Sequence, residues 1–320
     1  MSSDPRIDQA LLDWHSHASA LGHKPDEFQH ELLWQKSEEH RSHIVLKLTA
    51  PEQSYVLKKH FIGGDVEAVS NAQTAAQNAL ADHTDAVVPK IVIADPKSEL
   101  LVMEHFNGQT INEAMNDEND PMEIVRKIAI WCNAFHRNSF DETRIFRPVF
   151  MSRFFEKMVS SIKEGNRTVP EPQAYLRCAS QITDIAERYK NQETKTAQLH
   201  GDLNVRNFLF GEAQTAALDF KPFDIKPSGY DIARVLLDFT ELFGDPNAVA
   251  VGDVVPQDIK DAFFSEYKFL PETDPAISFL CYTRLLEDWH SIPTNPDHRS
   301  VRQEYRLEQI LKIAELAFEL

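Results

Sequence analysis

The sequence predicts an α+β protein in which a small β-rich lobe precedes a larger helical one. Up to about residue 105, short β-prone runs surround one helical stretch; beyond Gly108 the apolar residues instead recur every three or four positions. The 320 residues, 42% of them hydrophobic, are enough to give such lobes a real core.

The elements follow in order. Ile7, Leu11, Leu12 and His15 stand at helical spacing. Ile44–Leu48 and Tyr55–Lys58 are β-prone, and Thr49-Ala50-Pro51-Glu52-Gln53 between them predicts a hairpin. The stretch from Asp65 to Leu80 is rich in Ala, Gln and Asn, lacks Pro and Gly, and should be helical. Val87–Ile93 and Leu100–Met103 supply two more strands. Pro121 opens a helix at a position where its missing N–H costs little, and Ile124, Ile128, Trp131 and Phe135 share one face of it. Leu176, Ala179, Ile182, Ala186 and Tyr189 form a second stripe, and Leu307, Leu311, Ala314 and Phe318 a third. All three read as ordinary core packing.

Composition excludes several classes. With 33 basic against 50 acidic side chains the formal charge is −17, and both halves of the split near residue 105 are acidic, so nucleic acid is not an expected partner. An acidic surface suits a cationic small molecule. Cys132, Cys178 and Cys281 are odd in number and far apart, which argues against a zinc site or a disulfide framework. There is no apolar signal core at the start and no apolar run of about 18 residues, so a membrane partner is not indicated. A soluble, reduced, cytoplasmic protein is expected.

The chemistry concentrates in Leu199-His200-Gly201-Asp202-Leu203-Asn204-Val205-Arg206-Asn207-Phe208. An Asp is followed five residues later by an Asn, which opens a short apolar strand. A turn at Gly211-Glu212-Ala213-Gln214 leads back through Thr215–Leu218 to Asp219-Phe220. Such a hairpin would return Asp219 toward Asp202 and Asn207, and converging oxygen donors are what a hard cation such as Mg²⁺ requires. Protein-kinase-type enzymes arrange nucleophile and metal with this spacing.

These residues resemble the aminoglycoside phosphotransferase / choline kinase family, whose fold is the two-lobed protein-kinase-like one. Further segments fall in the family's order. Tyr55-Val56-Leu57-Lys58 looks like the strand of the phosphate-binding lysine, and Leu101-Val102-Met103-Glu104-His105-Phe106-Asn107-Gly108 like the hinge. Ala134-Phe135-His136 looks like the end of the helix after the hinge, and Gly229-Tyr230-Asp231-Ile232-Ala233 like the segment beyond the metal site. The likeness spans about residues 54 to 234.

The resemblance implies an N-lobe, residues 1–105, that covers the nucleotide, and a C-lobe, residues 106–320, with catalytic loop, metal site and acceptor pocket. Asp202 would take or orient the proton of the attacking hydroxyl, and Asn207 and Asp219 would hold Mg²⁺. Lys58 would grip the phosphates of ATP; strand alternation lets only one of Lys58 and Lys59 do so, and Lys58 shares its face with Val56. The backbone carbonyl of Glu104 and the backbone N–H of Phe106 would meet the adenine edge, with Met103 behind it. Asp231 would hydrogen-bond the catalytic loop's backbone. His200 and His136 would be structural, and His15, His17, His40 and His43 would be surface residues.

The activity implied is Mg²⁺-dependent transfer of the γ-phosphoryl group of ATP to a small-molecule hydroxyl. The acceptor site would be shaped by helices between Met151 and Tyr189 and by Glu287, Asp288, Trp289 and His290. A kinase of a sugar, amino alcohol or homoserine-like metabolite is an alternative, and a pseudokinase-type binding scaffold another. Ser37–Ser42 stands where a glycine-rich loop is usual, Lys58 has Glu67 or Gln73 as its candidate helical partner, and Asn204, Arg206 and Lys221 depart from the family's pattern.

Overall fold

The computed structural model describes residues 4–118 and 120–319. The protein divides into two compact units: residues up to Gln109 together with Leu209–Phe223, and Thr110–Phe208 together with everything from Asp224 onward.

The first unit is built on a five-stranded antiparallel sheet. Its strands lie in the order Gln29–Glu38, Arg41–Thr49, Ser54–Ile62, Leu100–Glu104, Ile91–Asp95. Alternation sorts the side chains onto two faces. Ile44, Leu46, Leu48, Tyr55, Leu57, Leu100 and Val102 turn one way and bury themselves against Ala10, Trp14 and Ala18 of the helix Pro5–Ala18. That helix starts where the Asp4 carboxylate accepts from the Arg6 N–H, with Pro5 just inside. Its Trp14 ring meets the Phe28 ring edge-on, the centroids 5.1 Å apart. The opposite face carries His43, Val45, Val56, Lys58, His60, Leu101 and Met103, as the register fixes: Lys58 lies opposite both Val45 and Leu101.

The helix Val66–Ala79 begins at Asp65, whose carboxylate accepts from the Ala68 N–H. Gln73 and Gln77, one turn apart, both donate to the Pro89 carbonyl, at 2.9 and 2.6 Å, and tie the helix to the segment entering the strand Ile91–Asp95. Thr215–Ala217 pairs in parallel with Ala86–Val87, so the expected hairpin is part of this unit.

The second unit is largely helical. Pro121–Asn138 is capped by Asp120 and buries Ile124, Ile128, Trp131 and Phe135, the stripe expected. Gly229–Phe243 and Pro275–Ser291 pack so closely that a Cβ on Gly229 would lie 2.8 Å from the Ala276 Cβ, a spacing only glycine allows. Val301–Ala317, the last helix, buries Leu307, Ile310, Ile313 and Ala314.

Besides the edge strand Gln29–Glu38, which was not expected, two features differ from expectation. The stripe from Leu176 to Tyr189 is two helices, Pro172–Ala179 and Ile182–Tyr189. Between them the Ser180 hydroxyl and the Gln181 side-chain amide both donate to the Arg177 carbonyl, local bonds that compete with helix continuation. A three-stranded sheet of Ile225–Pro227, Glu193–Gln198 and Phe140–Ile145 was not anticipated. Phe140–Ile145 is exposed along its whole length, so it carries no alternation to read.

Candidate active site

In the first unit Lys58 and Asp219 come together. The Lys58 ammonium pairs with the Asp219 carboxylate, the two side chains 13% and 38% exposed. Asp219 sits in the left-handed region at φ +64, a conformation that Asp tolerates better than most residues. Buried Ala216, Ala217 and Phe220 on either side hold it there.

Lys59 faces the other way. Its ammonium is buried on the Trp14 side, 2.7 Å from the Asp13 carboxylate and bonded to the Ser98 carbonyl. The two lysines should therefore fail differently. Lys59→Met is expected to cost about 1–3 kcal/mol of stability, because Asp13 and the Ser98 carbonyl lose a buried donor. Lys58→Met should leave the melting temperature nearly unchanged and weaken nucleotide binding; thermal scans with and without ATP separate the two effects, and identical behaviour of both variants would contradict the assignment of faces.

Neither candidate helical partner is the one Lys58 takes. Gln73 is buried, bonded to Pro89, with its amide nitrogen 4.0 Å from the Met103 sulfur. Glu67 is exposed in the helix's first turn.

The hinge is anchored from both sides. The Glu104 N–H donates to the Lys90 carbonyl at 2.8 Å and the His105 N–H to the Ser54 carbonyl at 3.0 Å. Met103 lies opposite Val56 on the Lys58 face. The Phe106 ring is wedged between two glycines: a Cβ would fall 3.0 Å from it on Gly211 and 2.5 Å on Gly108. Those glycines let the hinge and the hairpin carrying Asp219 approach each other.

In the second unit the loop around Asp202 is held by its backbone. Asp231, 1% exposed at the start of Gly229–Phe243, accepts the His200 N–H at 2.7 Å and the Gly201 N–H at 3.2 Å. His136 lies behind it, with one ring nitrogen 3.5 Å from Asp231 and the other 3.0 Å from the Tyr267 hydroxyl. His200 is fully buried, stands edge-on to Trp131, and accepts the Asp202 N–H on Nδ1 at 3.3 Å. The Asn207 amide donates to the Asp202 carbonyl at 2.8 Å, which leaves its side-chain oxygen as a ligand atom. Asn204 bridges the loop, donating to the Asp202 carbonyl and accepting from the Arg206 N–H.

Sequence reasoning missed what the Asp202 carboxylate itself meets, namely the guanidinium of Arg234. Arg234 lies three residues after Asp231, on the same face of the helix, and that spacing was a signal available to find it. Behind the loop lies a lattice of charge. Arg306 binds Glu241, Asp238 and Asp288, and Asp288 also takes Arg284. Asp238 turns its second oxygen to the Val205 N–H, at 3.0 Å. Burial, reinforced by Asp288, pushes the Glu241 carboxyl well above the ordinary range, against the pull of Arg306.

Of the residues expected around the acceptor, Asp288 and Trp289 are buried in this framework, the Trp289 indole donating to the Pro170 carbonyl. Glu287 and His290 are partly exposed. His40 is exposed as expected, whereas His43 is buried, with its ring against that of His60 on the neighbouring strand.

The donor set suits Mg²⁺. That ion keeps several waters and substrate phosphates and takes only one or two protein oxygens, and the Asp219 carboxylate of the first unit and the Asn207 amide oxygen of the second are each of the hard-oxygen kind it takes. Among the described residues no group of three or more His, Cys, Asp or Glu side chains is gathered around a metal position.

No curated protein matches the sequence. The protein is similar in structure to an amicoumacin kinase in complex with AMP-PNP, Ca²⁺ and Ami, at 15% identity over 91% of this protein and 89% of that one, TM-score 0.55. It is also similar to the spectinomycin phosphotransferase APH(9)-Ia in complex with ADP and spectinomycin, at 14% identity over 98% of both, TM-score 0.59. A choline/ethanolamine kinase family protein from Mesorhizobium loti matches at 12% identity over 98% of this protein and 99% of that one, TM-score 0.61. These likenesses establish the two-lobed protein-kinase-like fold. The model of the phosphotransferase enzyme family matches residues 37–254, well over half of the sequence and both motif-bearing regions. The protein belongs to that family of phosphotransferase enzymes.

Proposed function

We propose that the protein transfers the γ-phosphoryl group of MgATP to the hydroxyl of a small, positively charged acceptor in the cytoplasm. The observation that carries this is the Asp202 loop. Asp231, His200 and Asn207 all bind its backbone, which fixes the Asp202 carboxylate in place beside the Arg234 guanidinium and the Asn204 amide. The acceptor oxygen forms a bond to the γ-phosphorus while the bond to the β–γ bridging oxygen breaks and ADP leaves; the hydroxyl proton passes to Asp202. Lys58 neutralises phosphate oxygens as a point charge. The Glu104 carbonyl and the Phe106 N–H pair with the adenine edge, and Met103 packs behind it. Asn207 and Asp219 would hold Mg²⁺, which would supply positive charge to offset that on the phosphates.

Several features support this reading. The amicoumacin kinase holds AMP-PNP with Ca²⁺, and the spectinomycin phosphotransferase holds ADP. The charge of −17 favours a cationic acceptor. Cys132, Cys178 and Cys281 are buried and unpaired, as suits a reducing compartment, and no helix among the described residues is long and apolar enough to cross a membrane.

The test is ADP release from MgATP over pooled acceptors: aminoglycosides, amino alcohols, hydroxy amino acids, sugars and nucleosides. Release that depends on one pool names the acceptor class. Asp219→Ala should abolish the Mg²⁺ dependence of ATP binding in calorimetry; unchanged metal dependence would contradict its role. A wild-type protein that shows no acceptor-dependent release and binds ATP without regard to Mg²⁺ would favour a scaffold instead.

A further inference from the structure

The sheet face that carries Lys58 does not end there. Starting from the hinge, it reads Met103 and Val56, then Leu101, Lys58 and Val45, then His60 and His43. His60 stands two residues beyond Lys58, roughly 7 Å farther along the strand. His43 lies directly opposite it, with the ring centroids 5.3 Å apart. A nucleotide with its adenine at Met103 and its first phosphates at Lys58 would reach this pair with its terminal phosphates.

The pair has unmet hydrogen-bonding capacity. Nδ1 of both imidazoles is buried without a partner among the described residues, and His43 is only 6% exposed. Buried polar nitrogens are normally paired, so two orphans side by side point to a ligand. The surrounding charges suit an anion. Lys58, Arg41 and Lys36 face His43, Lys58 and Arg41 face His60, and Asp219 is the opposing acid for both. Lys36 is also engaged by Glu38 at 3.0 Å, and Glu99 flanks His60 across Gly64. Burial first, and these cations second, push both imidazoles down to about 4, so each is neutral at pH 7 with one N–H to donate. Three cations thus gather at this pair against Asp219 and, beside His60, Glu99, in a protein of net charge −17.

We infer that His43 and His60 are phosphate-binding residues, whose ring N–H groups donate to the terminal phosphate oxygens of the nucleotide where other kinases use a glycine-rich backbone. The inference rests on the kinase reading above, and it names binding groups that the sequence motifs do not contain.

Calorimetry on the full-length protein with MgATP, and with adenosine read by displacement of MgADP, tests it. His60→Leu should weaken MgATP about tenfold and leave adenosine unchanged, because only the phosphates lose a donor. His60→Gln, which keeps an N–H, should recover most of the loss. His43→Leu should behave like His60→Leu; if that buried substitution prevents folding, the half-buried His60 variants decide the matter. MgATP affinity unchanged in His60→Leu, or a fall shared equally by adenosine, overturns the inference and leaves the kinase reading standing. A wild-type protein that binds neither ligand overturns both.

Discussion

Asp202→Asn is expected to lower acceptor-dependent turnover about 10³-fold while leaving the melting temperature and the affinity for MgATP close to those of the wild type. The structure separates the two roles of this residue. Its carbonyl accepts from Asn207 and Asn204, and its N–H donates to His200, so the backbone bonds survive the substitution. His200 and Gly201 remain tied to Asp231. An amide at position 202 still offers an oxygen to Arg234 but can no longer take a proton from the attacking hydroxyl. Single-turnover rates with saturating MgATP and acceptor measure the loss in the chemical step directly. Turnover within a few-fold of wild type would remove Asp202 as the base.

Much of this was legible because it is local in sequence. An Asp and an Asn five residues apart, followed by a short hairpin, are spacings read without a fold. Alternation along Tyr55–Lys59 predicted that only one lysine shares a face with Val56, and Lys58 is there. Asp231 was expected on the loop's backbone and accepts two of its N–H groups. What stayed hidden depends on pairing across long separations. The edge strand Gln29–Glu38 is almost wholly exposed, so no buried alternation marks it. His43 reads as a surface histidine until its strand is set opposite His60. The charges at Asp238, Glu241, Asp288 and Arg306 lie on three helices and look in sequence like solvated polar positions, although the three acids are buried.

That buried lattice predicts the largest change in stability. Arg306→Met should cost about 3–5 kcal/mol, because it removes one partner of a buried ion-pair cluster and leaves the others behind. The guanidinium serves Asp238 and Glu241 from one helix and Asp288 from another, and all three are at most 3% exposed. Arg284 would remain for Asp288, but Asp238 and Glu241 would lose their shared cation. Burial already pushes the Glu241 carboxyl up, and without Arg306 only Arg284 is left in the cluster to oppose it. Lowering the pH should therefore shrink the penalty, since protonated carboxyls no longer need the cation. Glu241→Gln is the informative contrast. It removes one of three acids competing for one guanidinium and keeps the hydrogen-bonding shape, so it should change stability by less than about 1 kcal/mol. Urea denaturation of both variants at pH 7 and pH 5 decides between a lattice organised by Arg306 and a set of independent pairs. Independent pairs would make the Arg306→Met loss the plain sum of its three pairs, of which Glu241→Gln loses one share of about a third. Asp238 also receives the Val205 N–H inside the loop between Asp202 and Asn207, so Arg306→Met should slow turnover even where the protein remains folded. Unchanged turnover in folded Arg306→Met would mean that the loop keeps its shape through Asp231 and Asn207 alone.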